Sequence, residues 1–192
     1  MKRFSVFVLV AVFCALVTTT ASAQANFALR GIGLKAGVVN PEDLDTTLGG
    51  ALVFDLGTIH PNWAFESYAG YWSQTEDEFG VEFGVSDFSF GAKTKYLFET
   101  KNPTLQPFVG GGLGFHVLNA HVDIPPITSG GTVLFPGSSV DDSEFKLGLD
   151  FGGGVRLDRG SQFSFLGEGW FSIVSDMSQF SLMVGAVYMF GR

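Results

Sequence analysis

Eight segments of this chain alternate between apolar and polar residues at every second position. They span residues 28–39, 49–58, 63–73, 87–98, 107–118, 144–157, 162–173 and 179–190. Because successive side chains of a β-strand point to opposite faces, this period predicts eight β-strands rather than helices. The segments are 10–14 residues long, and a tilted strand needs about 9–11 residues to cross the hydrocarbon of a bilayer. Each predicted strand is therefore long enough to span a membrane.

The charged residues of these segments keep to one face, and the opposite face is apolar. The exception is Arg30, which lies near a strand end, where a long side chain can reach the interface. The charged face carries Lys35, Asp55, Glu66, Lys93, Lys95, Lys146, Asp150, Arg156 and Glu168, together with many glycines. A charge that faces lipid at the middle of a bilayer costs about 2–4 kcal/mol, and small residues suit the interior of a narrow barrel. A soluble barrel would instead turn its bulky apolar face inward. The pattern predicts a barrel that is apolar outside and charged inside.

The connections between the predicted strands alternate in length. Those after the second, fourth and sixth strands are short (60–62, 99–106 and 158–161), and those after the first, third and fifth are longer (40–48, 73–86 and 119–143). Short periplasmic turns and long outer loops are typical of outer-membrane barrels. The sequence therefore predicts an all-β fold, an eight-stranded antiparallel up-and-down transmembrane β-barrel.

The first 23 residues differ from the rest of the chain. Two basic residues precede an apolar run at 4–17, and small residues at 21–23 precede Gln24. This order is typical of a signal peptide, and the run is shorter than the roughly 18–20 residues of a membrane-spanning helix. We expect cleavage after residue 23, which would leave residues 24–192 as a barrel domain. Cys14 is the one cysteine and would be removed with the signal peptide.

Five stretches resemble a known family. They are GIGLKAGVVNP (31–41), WAFESYAGYW (63–72), FSFGAKTKYLF (88–98), PFVGGGLGFHV (107–117) and FSLMVGAVYMF (180–190). On these stretches the chain resembles the small outer-membrane β-barrel family that includes OmpA-, OmpX- and OmpW-like proteins. The resemblance implies export through the periplasm to the cell outer membrane and contact with its lipid and lipopolysaccharide. It also implies recognition of the C-terminal strand by the barrel-assembly machinery, although Gly191 and Arg192 follow the aromatic Phe190 that matches the family's terminal signal.

Two groups of side chains are candidate site residues. The nine charged residues of the inner face comprise five positive and four negative groups. We expect them to pair in a salt-bridge network inside a nearly filled lumen, with Glu66, Lys93, Lys95 and Glu168 at its centre. An ion or proton path is the functional alternative. The aromatic residues beside the short turns are predicted to form a periplasmic girdle: Trp63, Phe65, Tyr96, Phe98, Phe108, Phe163, Tyr188 and Phe190.

No motif predicts a catalytic, cofactor or metal site. The glycines at 31, 33 and 37 share one strand face and are not followed by a helix, as a dinucleotide loop requires. His60, His116 and His121 lack the paired spacing of metal ligands. An enzyme-like rim could be formed by His121, Ser138, Ser139, Asp141 and Asp142, but no spacing supports it over ordinary loop composition.

The predicted outer loops contain many acids and no lysine or arginine: Glu42, Asp43, Asp45, Glu76, Asp77, Glu78, Glu82, Asp87, Asp123, Asp141, Asp142, Glu144 and Asp176. This surface is either simply solvated or bridged through divalent cations to lipopolysaccharide phosphates. The third loop also carries apolar residues at 124–127 and 133–135. These could fold over the barrel mouth or contact a partner.

The sequence therefore predicts a non-enzymatic integral outer-membrane protein that contributes to envelope integrity or surface interaction. One alternative is a narrow OmpW-like conduit for small hydrophobic molecules or ions, and a less favoured one is a lipid A-modifying enzyme. The net charge of −8 argues against a nucleic-acid partner. No cofactor is expected, and the sequence names no surface ligand.

Overall fold

The fold is a closed antiparallel β-barrel. This computed structural model describes residues 26–78, 81–102, 104–129, 132–158 and 160–191, and the predicted signal peptide lies outside these residues. The strands are β1 (Asn26–Pro41), β2 (Thr47–His60), β3 (Trp63–Glu78), β4 (Val81–Leu97), β5 (Leu105–Ile124), β6 (Ile127–Ser129), β7 (Thr132–Phe135), β8 (Ser138–Asp158), β9 (Phe163–Val174) and β10 (Gln179–Met189).

Eight of these strands form the barrel wall in the order β1-β10-β9-β8-β5-β4-β3-β2. β1 closes the ring by pairing with β10, from Gly31 opposite Met189 to Pro41 opposite Gln179. A closed ring leaves no strand edge whose backbone N–H and C=O groups would need hydrogen bonds that lipid cannot supply. The predicted fold class is confirmed. β6 and β7 pair only with each other, in the connection between β5 and β8.

The described part of the chain contains no helix that is long and apolar enough to cross a membrane.

The outward face of the barrel is apolar and exposed, and the inward face is charged and buried. Phe90, Leu113 and Phe151 are 39%, 44% and 51% exposed, whereas Lys35 and Asp150 are 5% and 1% exposed. Hydrocarbon solvates such an apolar band and penalises charge on it. The distribution therefore fits a barrel whose surrounding solvent is lipid.

Two predicted loops are mostly strand. The sequence predicts loops at residues 73–86 and 119–143, but β3, β4, β5 and β8 continue into them. These parts pair with one another, for example Glu76 with Phe83 and His121 with Asp141. Outside the membrane the outward face of a strand does not contact lipid, so its residues need not be apolar at every second position. The sequence pattern of a membrane strand therefore ends before the strand itself ends.

Glycines in the barrel wall differ in the space that surrounds them, which gives a matched test. A Cβ at Gly152 would lie 2.7 Å from the Trp170 ring and would also meet the carbonyl oxygen of Gly169, whereas one at Gly167 would meet nothing within 4 Å. We expect Gly152→Ala to lower the free energy of unfolding by about 1–3 kcal/mol through overpacking. Gly167→Ala should leave it nearly unchanged. Urea titration in lipid vesicles measures both, and equal effects would contradict the prediction.

Candidate functional site: the charged lumen

Four buried charges form a closed ring across the lumen. Lys35 Nζ lies 2.7 Å from Glu66 Oε1 and 2.5 Å from Glu168 Oε1. Lys95 Nζ lies 2.8 Å from Glu66 Oε2 and 2.9 Å from Glu168 Oε2. All four carboxylate oxygens and both ammonium groups are therefore paired. Such complete pairing is what allows charges to remain in a low-dielectric interior.

The ring joins strands on opposite sides of the barrel. Its members come from β1, β3, β4 and β9, and β9 lies across the lumen from β3 in the strand order. Alternation in each strand points these side chains inward. The glycines that face the lumen leave room for the long side chains, since a Cβ at Gly112 would come within 2.7 Å of Lys93 Cγ. The ring therefore spans the lumen and links its walls.

Lys93 lies beside the ring in a second group. Its Nζ is 3.6 Å from Asp150 Oδ2 and 4.2 Å from the ring centres of both Tyr68 and Trp170. Asp150 also accepts hydrogen bonds from Tyr68 Oη at 2.9 Å and Ser172 Oγ at 2.5 Å. The ammonium group is thus held between a carboxylate and two aromatic faces.

A third polar group lies toward the long-loop end. His116 Nδ1 is 2.7 Å from Asp87 Oδ2, and Gln179 Nε2 donates to the same oxygen at 3.3 Å. Trp72 Nε1 donates to Gln179 Oε1 at 2.7 Å. Among the described residues, His116 Nε2 and Asp87 Oδ1 have no hydrogen-bond partner.

A separate ion pair lies at the short-turn end of the lumen. Arg156 Nη1 lies 3.1 Å from Asp55 Oδ2, and the guanidinium also contacts Ser164 Oγ. Beside this pair is a cavity of about 20 Å³, which is about the space that one water molecule needs. Charged and aromatic side chains thus occupy successive levels of the lumen from one end to the other.

The structure brings most of the predicted lumen charges together but arranges them differently from the expectation. Glu66, Lys95 and Glu168 share the ring with Lys35, whereas Lys93 pairs with Asp150. Lys146 lies at the long-loop end, where its Nζ is 2.6 Å from Glu144 and 2.7 Å from Asp176. Which charges pair across a barrel depends on its shear and closure, and neither is visible in one strand's sequence.

Seven of the predicted girdle aromatics lie near the short turns and contact other rings. Trp63, Tyr96 and Phe98 form one chain of ring contacts, with centroids 5.3 and 5.2 Å apart. Phe163, Tyr188 and Phe190 form another, at 5.4 and 5.7 Å. Phe65 contacts Phe27 at 5.1 Å.

The prediction that Phe108 belongs to the periplasmic girdle is wrong. It is 3% exposed and packs inside the barrel, where its ring centre lies 4.8 Å from Lys95 Nζ. It shares the inward parity of His116, and Gly154 opposite it leaves space for the ring. The parity within β5 was the signal that could have placed it correctly.

Several lumen residues were not predicted from the sequence. Asp87, assigned to an outer loop, is fully buried beside His116. The aromatic residues Tyr68, Trp72 and Trp170 also line the lumen, although in each case the inward parity of their strand was available as a signal. Nothing in the described part of the chain brings three metal-binding side chains together.

His121, expected in a loop, lies on β5 beyond the barrel. Its Nδ1 is 2.6 Å from Asp141 Oδ1. This hydrogen bond with a carboxylate raises the pKa of His121 above its usual value of 6.5. His60 lies at the end of β2 and is exposed.

Comparison with known proteins places this geometry among membrane barrels. Residues 7–190 match the family described as "Outer membrane protein beta-barrel domain". No curated protein matches the sequence. The structure of Neisserial surface protein A is similar, with a TM-score of 0.63, 15% identity, and coverage of 86% of this chain and 100% of that one.

Two further solved structures share the fold at low identity. The Yersinia pestis attachment invasion locus protein Ail, solved in complex with the heparin analogue sucrose octasulfate, has a TM-score of 0.54, 18% identity, and coverage of 84% of this chain and 99% of that one. The outer membrane enzyme PagL has a TM-score of 0.50, 15% identity, and coverage of 80% and 97%. At such identities the likeness concerns the fold alone.

Proposed function

This chain belongs to the outer membrane protein β-barrel domain family and lies in the cell outer membrane, and on that premise we propose that it is a non-enzymatic structural barrel of the envelope with a closed lumen. The observation that carries the proposal is the ring formed by Lys35, Glu66, Lys95 and Glu168. A permeating ion would have to break paired charges that the interior cannot otherwise solvate.

A conductance measurement tests the closed lumen. The protein reconstituted in planar bilayers should give no reproducible single-channel steps, because ion pairs and aromatic rings fill the lumen at successive levels. A porin reconstituted by the same procedure serves as the positive control. Reproducible steps from this protein would favour the alternative of a narrow conduit for ions or small hydrophobic molecules.

The non-enzymatic part of the proposal rests on the environment of His116 and Asp87, the buried histidine–carboxylate pair among the described residues. His116 and Asp87 could resemble two members of a hydrolase triad, but among the described residues His116 Nε2 has no hydroxyl partner. Mass spectrometry of lipid A from cells with and without the protein should give the same spectrum. A modified lipid A that depends on the protein would establish the enzyme alternative.

Export and orientation are part of the proposal. We infer that residues 1–23 are removed, that the short turns and aromatic girdle face the periplasm, and that the barrel-assembly machinery recognises β10. The mature protein should have the mass expected for a chain that begins at Gln24.

Cells that lack the protein should admit bulky detergents more readily, and the wild-type gene should reverse this. Unchanged permeability would overturn the role in envelope integrity.

A further inference from the structure

Four strands extend beyond the barrel as a small sheet that we call the protruding sheet. It comprises residues 73–78 of β3, 81–86 of β4, 119–124 of β5 and 138–143 of β8, which remain paired with one another. The neighbouring strands stop earlier, since the pairing of β8 with β9 begins at Gly148 and that of β2 with β3 begins at Gly49.

Polarity reverses where the protruding sheet begins. Within the barrel, the outward positions of β4 are apolar, as at Phe88 and Phe90. Beyond this level the outward positions are Ser86, Gly84 and Glu82, and the inward positions are Val85 and Phe83. The same strand face therefore changes from apolar to polar as it leaves the lipid, as solvation in water requires.

The inner face of the protruding sheet, which looks toward the barrel axis, is apolar. It presents Phe83, Val85, Ala120, Val122, Ile124 and Val140. Phe83 is 46% exposed, Ile124 44% and Val140 60%. Lipid cannot explain these residues, because they lie past the level at which the outward face becomes polar. An exposed apolar patch with a polar border is typical of an interaction site.

Carboxylates border this inner face on both sides. Glu76 of β3 stands at one end of the row that continues through Phe83, Val122 and Val140. The adjacent row of paired residues runs from Gln74 of β3 through Val85 and Ala120 to Asp142 of β8. Asp142 therefore lies at the β8 border, opposite the β3 border where Glu76 lies. Glu76 Oε1 accepts a hydrogen bond from Gln74 Nε2 at 2.8 Å. Among the salt bridges of the described residues, none includes Glu76 or Asp142. Three strand spacings of about 4.8 Å place the two borders roughly 14 Å apart.

We propose that the inner face of the protruding sheet binds a cationic amphipathic peptide. Its apolar side chains pack on Phe83, Val122 and Val140, and its ammonium groups reach the carboxylates at the two borders. In an extended peptide, residues i and i+4 lie about 13 Å apart on one face, which matches the separation of the borders. The negative field of the surrounding acids steers such a ligand toward the mouth. This inference rests on the proposed orientation, in which the long-loop end faces outward.

The test uses the full-length protein in lipid nanodiscs and a fluorescent nine-residue peptide. Lysine and leucine alternate at every second position of the peptide, with serine between them. Fluorescence anisotropy should show saturable binding, and a peptide with glutamate in place of lysine should bind at least tenfold more weakly. The double variant Glu76→Gln/Asp142→Asn should weaken binding about tenfold. Val122→Thr/Val140→Thr, which keeps side-chain shape and strand preference, should weaken it about fivefold or more.

A matched control separates the inner face from general electrostatics. Glu82 and Asp123 lie opposite each other on the outer, polar face of the same sheet, so Glu82→Gln/Asp123→Asn removes the same charge. This control should change binding by less than threefold. Equal weakening by the two charge variants, or equal binding of the glutamate peptide, would overturn the proposal. Labelling of a Ser139→Cys variant on intact cells tests the orientation separately.

Discussion

Replacing Lys95 with methionine is expected to lower the free energy of unfolding by about 3–5 kcal/mol, the usual effect of removing one partner from a buried ion pair. The change leaves Glu66 Oε2 and Glu168 Oε2 without the ammonium group that lies within 2.9 Å of each. Lys35 alone then faces two carboxylates in a low-dielectric interior. The methionine keeps most of the apolar stem, so the effect reports mainly on charge. Urea unfolding in lipid vesicles, followed by tryptophan fluorescence, measures it.

Two further variants make this prediction specific. Lys101→Met removes a lysine from an exposed turn and should change stability by less than about 0.5 kcal/mol. Lys95→Met/Glu168→Gln restores neutrality, so its cost should be smaller than the sum of the two single changes. If Lys95→Met were as stable as Lys101→Met, the ring would not be a stabilising element of the lumen.

Placing arginine at Leu113 is expected to cost about 2–4 kcal/mol, because this side chain faces lipid near the middle of the bilayer. Leu113 is 44% exposed and lies between Ala92 and Leu149 in the outward band. It is the central position of the outward residues 109–117 of β5. The same unfolding measurement in vesicles of a fixed lipid composition would detect the loss.

The matched control places an arginine at a different depth in the bilayer. Phe98 is 43% exposed and lies in the aromatic band near the short turns, where arginine can reach the interface. Phe98→Arg should therefore cost only about 0–1 kcal/mol. An equal cost at both positions would mean that the outward band does not contact hydrocarbon.

The sequence predicted the barrel because lipid imposes one rule on every strand. Lys146, Asp150 and Arg156 each occupy the parity opposite to the large apolar residues in the membrane-spanning part of β8, and a single strand suffices to show it. The inward position of these charges and the number of strands follow from that rule. The partners of each charge do not, since Lys35 and Glu168 are 133 residues apart in sequence and meet only when the sheet closes.

The rule also has a limit at the membrane surface. Beyond Ser86 the strands of the protruding sheet continue with the opposite polarity, so a search for membrane strands ends there and the rest reads as loop. Asp87 lies next to this change and was grouped with the outer acids, although its side chain is buried. Composition alone could not distinguish this buried acid, which lies inside the mouth of the barrel, from the acids that lie beyond the mouth.

The four-strand origin of the ring has a consequence for the order of assembly. Lys35, Glu66 and Lys95 belong to the N-terminal half of the barrel, but Glu168 arrives only with β9. A partial sheet that ends before β9 would carry two ammonium groups against one carboxylate, and burying the unmatched charge in hydrocarbon is strongly unfavourable. We therefore expect that hairpins of this protein do not enter the bilayer one at a time. Insertion after the later strands are present would bury all four charges together, in one concerted step.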